Sequence, residues 1–218
     1  MKAGIIFDLD GTLLNTLEDL ADGVNYALRQ FGLPERTIEE VRQFVGNGAE
    51  RLIRLVLPGT ENDPDPLEVL HVFREYYNAH CQVKTRPYDG IMEALAALKE
   101  RYPLAVVSNK PDSAVKPLCD YYFPGLYARG ESADCPRKPA PDMVFKAMEA
   151  LGVEGCVYVG DSEVDVRTAR NAGVPCLSVL WGFRDREVME SAGGEYFCGD
   201  PAQMPEIIEK IIGEVYGE

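Results

Sequence analysis

Short apolar runs alternate with longer amphipathic stretches along much of this chain. The first run, Ala3 to Phe7, is brief and rich in branched side chains, which is typical of a strand buried on both faces of a parallel sheet. Similar runs at Leu104 to Ser108, Cys156 to Gly160 and Val174 to Leu180 predict further strands, and Leu126 to Ala128 predicts a short one. Because helical patterns separate these runs, the sequence predicts an α/β fold with a parallel sheet and right-handed crossovers.

The stretch from about residue 15 to residue 85 differs, because every pattern in it is helical. A helical block inserted after the first strand predicts a cap domain at residues 15–86, on a core formed by residues 1–14 and 87–218. The alternative is a single α+β domain whose helices pack on the sheet. We favour the cap, because the block can bury its own apolar stripes as a small bundle. Such lids close over active sites and exclude water.

Two acids, Asp8 and Asp10, directly follow the first predicted strand. Side chains alternate along an extended chain, so the two carboxylates can face one side. In open α/β sheets ligands bind at the carboxyl ends of the strands, and Gly11 allows the backbone to turn closely around one. On these residues alone, an acidic turn in which Thr12 caps the next helix stays an open alternative.

Polar residues also follow the predicted strand that begins at Leu104. Ser108 and Asn109 stand just before a helix, and a hydroxyl beside exposed backbone N–H groups suits a phosphate group. The alternative is that either residue only caps the helix that Pro111 begins.

A lysine, Lys138, precedes two closely spaced prolines, Pro139 and Pro141. Proline stiffens and extends the segment before it, so the ammonium group can be aimed at one place. There it could stabilise the negative charge that builds up on a phosphoryl group during transfer. A solvated loop lysine is the alternative.

A second pair of acids, Asp161 and Asp165, follows the strand that ends at Gly160. Positions four apart share one face of a helix, so both carboxylates can join Asp8 and Asp10 at the same sheet edge. Two such charges 4 Å apart repel by roughly 4 kcal/mol at an effective dielectric near 20, so the cluster needs a cation. Oxygen ligands alone favour Mg²⁺. The alternative, helix capping, can coexist with metal binding.

These four segments resemble, in order, the four motifs of the haloacid dehalogenase-like hydrolases, most of which are magnesium-dependent phosphatases. The resemblance implies a Rossmann-like core with a helical cap of the C1 type. It implies that Asp8 is the nucleophile and that Asp10 is the general acid and base, with Lys138 as the third catalytic residue. The metal ligands that it implies are Asp8, the Asp10 carbonyl and Asp161, with Asp165 either binding the metal or orienting it through water. The phosphate-binding residues that it implies are Gly11, Thr12, Ser108, Asn109 and Lys138.

Within this superfamily, Val45 to Arg51 and Lys110 resemble the phosphoglycolate phosphatases of bacteria. The resemblance implies that Asn47, Gly48 and Arg51 select the substrate, and it makes 2-phosphoglycolate the first candidate. Arg51 can bind a carboxylate through two hydrogen bonds, although a surface cation next to Glu50 is an equal alternative.

Three functional hypotheses follow. The first is a Mg²⁺-dependent phosphatase for small phosphate monoesters, because Asp10 supplies a proton that an ester needs and a halide does not. The second is a phosphomutase like β-phosphoglucomutase, or a broad sugar or nucleotide phosphatase. The third is a non-catalytic binding or regulatory protein, which has no chemical need for both Asp8 and Asp10.

Composition narrows the range of possible binding partners. The chain has 22 basic and 36 acidic residues, a formal charge of −14, which argues against binding to nucleic acid or an anionic membrane. We therefore expect a small phosphorylated metabolite as partner, a monomer or homodimer, and a cytoplasmic location, since Ala3 to Phe7 is too short for a secretory signal. Six scattered cysteines and two histidines give no zinc pattern. Whether Trp181 to Phe183 lines the site stays open, with packing between core elements favoured.

Overall fold

The computed structural model describes residues 2–217, which form eight strands and ten α-helices. The strands are β1 (Ala3–Phe7), β2 (Leu14–Asn15), β3 (Arg86–Pro87), β4 (Leu104–Pro111), β5 (Tyr127–Glu131), β6 (Gly155–Gly160), β7 (Cys176–Val179) and β8 (Tyr196–Cys198). The helices are α1 (Leu17–Gln30), α2 (Ile38–Phe44), α3 (Ala49–Val56), α4 (Pro66–His80), α5 (Ile91–Lys99), α6 (Asp112–Tyr122), α7 (Asp142–Leu151), α8 (Glu163–Ala172), α9 (Arg186–Ser191) and α10 (Met204–Tyr216). A turn of 3₁₀ helix, Pro201–Gln203, precedes α10.

The described residues divide into two compact units. The first unit contains the chain up to Leu14 and from Pro87 onward, and the second unit is Asn15–Arg86. The second unit contains α1 to α4, and the short strands β2 and β3 form a two-stranded sheet where the chain passes between the units. That the second unit acts as a cap stays a prediction.

The first unit is built on a six-stranded sheet in the order β5-β4-β1-β6-β7-β8. Every neighbouring pair is parallel, and Phe7 at the end of β1 stands opposite Val106 of β4 and Val159 of β6. Helices connect the parallel strands, as such crossovers require. The predicted fold class, a Rossmann-like parallel sheet with helices, is confirmed.

The core of the first unit lies between the sheet and the helices that cover it. Strand β1 is buried along its whole length, which explains its continuous apolar sequence. One cluster joins the strands to α7 and α8 and contains Ile6, Ala105, Val107, Cys135, Met143, Val144, Ala147, Cys156, Tyr158 and Ala169. This packing gives the carboxyl ends of β1, β4 and β6 a rigid floor.

The direction in which successive strands are added to the sheet reverses at β1, while all the strands stay parallel. The strands that follow β1 in sequence, β4 and β5, lie on one side of it, and β6, β7 and β8 lie on the other. In open α/β sheets the crevice at such a switch point, outside the carboxyl ends of the strands, is where ligands bind. The residues that the sequence predicts for catalysis and binding, at or just after the ends of β1, β4 and β6, therefore meet at one edge of the sheet.

Caps and buried apolar faces define the helices of the second unit. Thr37 Oγ1 accepts a hydrogen bond from the Glu40 N–H at 3.2 Å while Glu40 Oε2 accepts one from the Thr37 N–H at 2.8 Å, a capping box that starts α2. Asp65 caps α4 through the Leu67 N–H. Asp19 of α1 is buried and accepts hydrogen bonds from the N–H groups of Lys84 and Thr85, which ties the end of the unit to α1.

Strands β4, β5 and β7 have bounds that differ from the sequence prediction. Strand β7 is shorter than predicted, at Cys176–Val179 rather than Val174 to Leu180. Strand β4 continues to Pro111 rather than ending at Ser108, because its pairing with β5 resumes after a register shift between Val107 and Pro111. Strand β5 lies at Tyr127–Glu131 rather than at Leu126 to Ala128 for the same reason. Ser108, Asn109 and Lys110 therefore lie within the irregular end of a strand. Regular apolar patterning does not reveal such a shift.

Among residues 2–217, no helix combines the length and the apolar character that crossing a bilayer requires.

Candidate active site

Three buried aspartates meet at the carboxyl edge of the sheet. Asp8 directly follows β1, Asp161 follows β6, and Asp165 lies in the first turn of α8. Each offers one carboxylate oxygen, and these oxygens all lie within 4.8 Å of one another. The edge predicted from strand order is thus where the structure brings these predicted residues together.

A buried lysine, Lys138, bridges two of these acids. Its Nζ lies 2.8 Å from Asp8 Oδ1 and 2.8 Å from Asp165 Oδ1, and the residue is only 3% exposed. It is therefore a buried ion-pair partner and not a solvated loop lysine.

The Asn109 side chain holds the backbone of Lys138. Asn109 Oδ1 accepts a hydrogen bond from the Lys138 N–H at 2.7 Å, and Asn109 Nδ2 donates one to the Lys138 carbonyl at 3.1 Å. Both ends of the amide therefore contact one residue, 29 positions away in sequence. In this geometry Asn109 aims Lys138, and the prediction that it binds phosphate stays a prediction.

Asp165 is the most enclosed acid of the cluster. Its Oδ1 accepts hydrogen bonds from Lys138 Nζ at 2.8 Å and the Tyr158 hydroxyl at 3.2 Å. Its Oδ2 accepts from the Ser162 N–H at 3.1 Å and the Ser162 hydroxyl at 2.6 Å. Since each oxygen already has two donors, Asp165 is suited to anchoring Lys138, and Asp8 and Asp161 are better suited to a metal.

The argument that Asp161 and Asp165 share a helix face was wrong in its detail. Helix α8 begins at Glu163, with Ser162 as its N-cap in a capping box with Asp165, so Asp161 precedes the helix. The two carboxylates still converge, because Asp161 leaves the end of β6 toward the same edge that the first turn of α8 faces.

Asp161 is held by the loop that follows β7. The Phe183 N–H donates to Asp161 Oδ2 at 2.7 Å, and the Thr12 hydroxyl donates to Asp161 Oδ1 at 3.2 Å. In the same loop, Trp181 Nε1 donates to the Thr12 carbonyl at 3.0 Å. The loop from Trp181 to Phe183 therefore contacts the site through the Trp181 indole and the Phe183 N–H. The Phe183 side chain is buried in the apolar core, which agrees with the interpretation that it packs between core elements.

Two glycines permit this close approach. A Cβ on Gly182 would lie 2.3 Å from Asp161 Cβ and 2.5 Å from the Gly11 carbonyl oxygen, and one on Gly11 would lie 2.3 Å from Asp161 Oδ2. Gly11 also has φ +82°, a conformation that favours glycine. In the sequence, Gly182 stands between Trp181 and Phe183 just after a predicted strand, and this pattern was the available signal for the close approach to Asp161.

A second buried lysine, Lys110, contacts the remaining predicted acid. Lys110 Nζ lies 2.7 Å from Asp10 Oδ1. The sequence left Lys110 without a role, since its partner lies 100 positions away. Next to it, Ser108 Oγ accepts the Lys110 N–H at 3.2 Å, and because a hydroxyl also carries a donor, Ser108 keeps a proton to offer.

The predicted specificity residues lie in the second unit. Gly48, with φ +82°, precedes α3, and Asn47 stands before it. Arg51 lies in the first turn of α3 and is exposed. Their role in substrate selection stays a prediction.

Burial and mutual repulsion shift the ionisation of the cluster. Burial raises the pKa of Asp8 well above its ordinary value, with Lys138 opposing this and Asp165 and Asp161 adding to it. Burial raises the pKa of Asp161 to about 7, Asp165 adds to the shift, and the Phe183 N–H opposes it. Burial by itself would lower the pKa of Lys138, but the charges of Asp165 and Asp8 outweigh burial and raise it.

The donor set fits a hard divalent cation. The three clustered side chains are all aspartates, so the candidate ligand atoms are carboxylate oxygens. Mg²⁺ prefers oxygen ligands of this kind. Burial is the main cause of the raised pKa values of Asp8 and Asp161, and the charge of Asp165 adds to both shifts. When ionised, the three carboxylates face one ammonium group, that of Lys138. The cluster therefore carries more negative charge than its one bridging lysine compensates.

Comparison with known proteins gives the same assignment. Residues 5–179 match the family model of the haloacid dehalogenase-like hydrolases. Phosphoglycolate phosphatase 1 of Pseudomonas aeruginosa is 36% identical over 200 residues, which cover 86% of this chain and 73% of that protein. Phosphoglycolate phosphatase of Aquifex aeolicus is 35% identical over 187 residues, which cover 82% of this chain and 85% of that protein.

A solved structure has the same architecture. A crystal structure from Lactobacillus delbrueckii subsp. bulgaricus, proposed to be a phosphoglycolate phosphatase, has a TM-score of 0.87 and 38% identity, and covers 94% of this chain and 97% of that one. This chain therefore belongs to the haloacid dehalogenase-like hydrolases. The predicted class, a phosphatase of this superfamily, is confirmed.

The pKa of Asp161 predicts how pH affects metal binding. Below about pH 7 this carboxyl holds a proton that a Mg²⁺ ion bound there would have to displace, whereas above it the carboxylate is already ionised. We expect Mg²⁺ to bind more weakly at pH 6, with an apparent Kd about tenfold higher than at pH 8. Isothermal titration calorimetry at both pH values, in two buffers of different ionisation enthalpy, measures the affinity and the released proton. Equal affinity at both pH values contradicts the prediction.

The contact between Gly182 and Asp161 predicts the effect of one added methyl group. In Gly182→Ala the new Cβ must displace Asp161 or Gly11, which disturbs the hydrogen bond from the Phe183 N–H. We expect Mg²⁺ affinity to fall by about tenfold or more. The control is Gly199→Ala, because nothing lies within 4 Å of a Cβ built there. The same titration applied to both variants checks this, and equal Mg²⁺ affinity in the two would refute it.

Proposed function

We propose that this enzyme is a Mg²⁺-dependent phosphatase that hydrolyses small phosphate monoesters by way of a phosphoryl group carried on Asp8. The observation that carries the proposal is the Lys138 ammonium, 2.8 Å from Asp8 Oδ1, beside a cluster of carboxylates at the switch point of the sheet. Asp8 is a carboxylate nucleophile of the kind that splits one difficult displacement into two easier ones.

In the first step an Asp8 oxygen forms a bond to phosphorus, and the bond between phosphorus and the ester oxygen breaks. The electron pair of that bond stays on the ester oxygen, which takes a proton from Asp10. In the second step the Asp10 carboxylate takes a proton from water and the water oxygen bonds to phosphorus. The bond between phosphorus and the Asp8 oxygen breaks, its electron pair returns to the Asp8 carboxylate, and inorganic phosphate leaves. General acid and base catalysis of this kind contributes typically about 10²–10⁴-fold.

The charges around Asp8 suit this transfer. Lys138 places a positive charge where negative charge develops on the phosphoryl oxygens, and it is fixed by Asp165 and Asn109. Mg²⁺ held by Asp8, the Asp10 carbonyl and Asp161 would offset the repulsion between an anionic nucleophile and a phosphate dianion. Asp165, whose four hydrogen bonds occupy both oxygens, would act on the site through Lys138 or through water.

The phosphate is proposed to lie against the residues predicted for it from sequence. Ser108 can donate its hydroxyl proton to a phosphate oxygen, because its other hydrogen bond uses it as an acceptor. Gly11 turns the backbone at the carboxyl end of β1, and its own N–H donates to the Leu14 carbonyl, so its proposed contribution is the close approach that its missing side chain allows. Thr12 donates its hydroxyl proton to Asp161, so its side chain serves the acid cluster, and its N–H donates to the Leu9 carbonyl at 3.4 Å.

We propose 2-phosphoglycolate as the substrate. This proposal is supported by the names of the two relatives and by the resemblance of the segment from Val45 to Arg51 to that group. In this scheme Asn47, Gly48 and Arg51 recognise the leaving group, with Arg51 binding its carboxylate. As part of the same proposal, the enzyme acts in the cytoplasm as a monomer or homodimer.

The nucleophile is tested by Asp8→Asn, which keeps the size of the side chain. We expect release of inorganic phosphate from small phosphate esters in Mg²⁺ to fall below ~0.1% of wild type. A covalent phosphoryl adduct, detected by mass spectrometry of rapidly quenched wild type, should be absent from the variant. Turnover in Asp8→Asn would contradict the proposal, and transfer to a second position of a sugar phosphate in place of phosphate release would favour the mutase.

Recognition by the second unit is tested by Arg51→Ala. Losing a charge-assisted contact with the substrate costs about 1.5–3 kcal/mol, so we expect kcat/KM for 2-phosphoglycolate to fall about 10- to 100-fold. For 4-nitrophenyl phosphate, which has no carboxylate, kcat/KM should not change. Arg54→Ala is the matched control, an exposed arginine on the same helix that pairs with Glu50. An equal loss on both esters would exclude carboxylate recognition by Arg51.

A further inference from the structure

Lys110 is a buried lysine that the mechanism above does not use. Its side chain is 5% exposed, and its Nζ lies 2.7 Å from Asp10 Oδ1. Lysine is rarely buried without a charged partner, because its ammonium group is strongly hydrated in water. The contact with Asp10 supplies that partner.

The backbone of Lys110 is fixed on several sides. Its N–H donates to Ser108 Oγ, and its carbonyl oxygen lies 2.5 Å from where a Cβ of Gly130 would stand, so the glycine lets β5 pack directly against it. The Gly130 N–H in turn donates to Asp112 Oδ1 at 3.0 Å, just beyond Lys110. The lysine therefore projects from a rigid point.

Asp10, by contrast, lies in a turn. It follows β1 by three residues, next to Gly11, whose N–H donates to the Leu14 carbonyl. The side chain of Asp10 is 16% exposed, more than that of Asp8 at 11%. A turn fixes the backbone of Asp10 but leaves its side chain to be placed by contacts such as the one with Lys110.

The two buried lysines act on different acids. Lys138 contacts Asp8 and Asp165, and Lys110 contacts Asp10. Lys138 thus stands beside the group that receives the phosphoryl group, and Lys110 beside the group that exchanges a proton with the ester oxygen.

We propose that Lys110 is a positioning residue that holds the Asp10 carboxyl group in the orientation from which it protonates the leaving oxygen. This inference rests on the proposed function, in which Asp10 is the general acid. The phosphorus to ester oxygen bond breaks and the ester oxygen takes the Asp10 proton; Lys110 forms and breaks no bond. Its contribution is the orientation of the carboxyl group that makes proton transfer efficient.

The proposal predicts a loss that depends on the leaving group. An alkoxide needs a proton to leave, whereas 4-nitrophenolate is stable as an anion and needs none. The ratio kcat/KM covers the steps through departure of the leaving group, so it reports this first proton transfer and not the later hydrolysis of the phosphorylated Asp8.

The test is Lys110→Met, assayed with 4-nitrophenyl phosphate and with the alkyl phosphate that wild type hydrolyses fastest. We expect kcat/KM to fall about 100-fold for the alkyl ester and to stay within about threefold for the aryl ester. In an Asp10→Asn background, Lys110→Met should add less than about threefold for the alkyl ester, because the positioned group is gone. Lys116→Met, an exposed lysine on α6 that pairs with Asp112, is the control and should match wild type.

Other outcomes overturn the proposal. Equal losses on both esters would give Lys110 a structural or phosphate-binding role, and a rise in KM without a fall in kcat would make it a substrate ligand. If Lys110→Met does not fold, Lys110→Arg keeps the buried charge with a different reach, and its loss should again be confined to the alkyl ester. Turnover in Asp8→Asn would instead show that the proposed function had failed, whatever Lys110 does.

Discussion

The site depends on one buried lysine between two buried carboxylates. Lys138 contacts Asp8 and Asp165 at 2.8 Å each, and it joins the end of β1, the segment before α7 and the first turn of α8. Removing one partner from a buried ion pair generally costs about 3–5 kcal/mol, because the remaining charge is left unpaired. Here two carboxylates would be left, one of them fully buried. The arrangement of the edge therefore depends on this lysine more than on any single metal ligand.

Lys138 offsets only part of the negative charge of the clustered acids, and the charge that remains suits the binding of a cation. Burial and neighbouring acids raise the pKa values of Asp8 and Asp161 even with Lys138 in place. A group with a raised acid pKa is more stable protonated, so ionising the cluster works against the fold unless a cation binds. The buried sheet beneath, with β1 covered along its length, supplies the rigidity that keeps the acids together. A divalent cation bound at the cluster would relieve this repulsion.

Sequence reasoning located the edge but not the contacts within it. The rule that ligands bind at the carboxyl ends of parallel strands suffices to bring Asp8 and Asp161 together, and the structure does so. Lys138 lies in the segment before α7, and only the resemblance to the third motif predicted its place at this edge. The contact between Lys110 and Asp10 spans 100 positions, and it depends on a strand that runs past a register shift. Apolar patterning carries no information on such a shift. The helix that was expected to hold Asp161 begins two residues later, since Ser162 takes the capping position.

The end of β4 connects the two charge pairs. Asn109 holds the backbone of Lys138, which serves Asp8, and the next residue, Lys110, serves Asp10 directly. Ser108 Oγ accepts a hydrogen bond from the Lys110 N–H and so helps to fix the Lys110 backbone. Three successive residues thus set the positions of both acids proposed for catalysis, although none of the three is itself one of those acids. Because successive side chains of an extended chain point in opposite directions, an irregular strand end is what allows neighbours to serve one edge. The register shift in β4 is therefore part of how this segment builds the site.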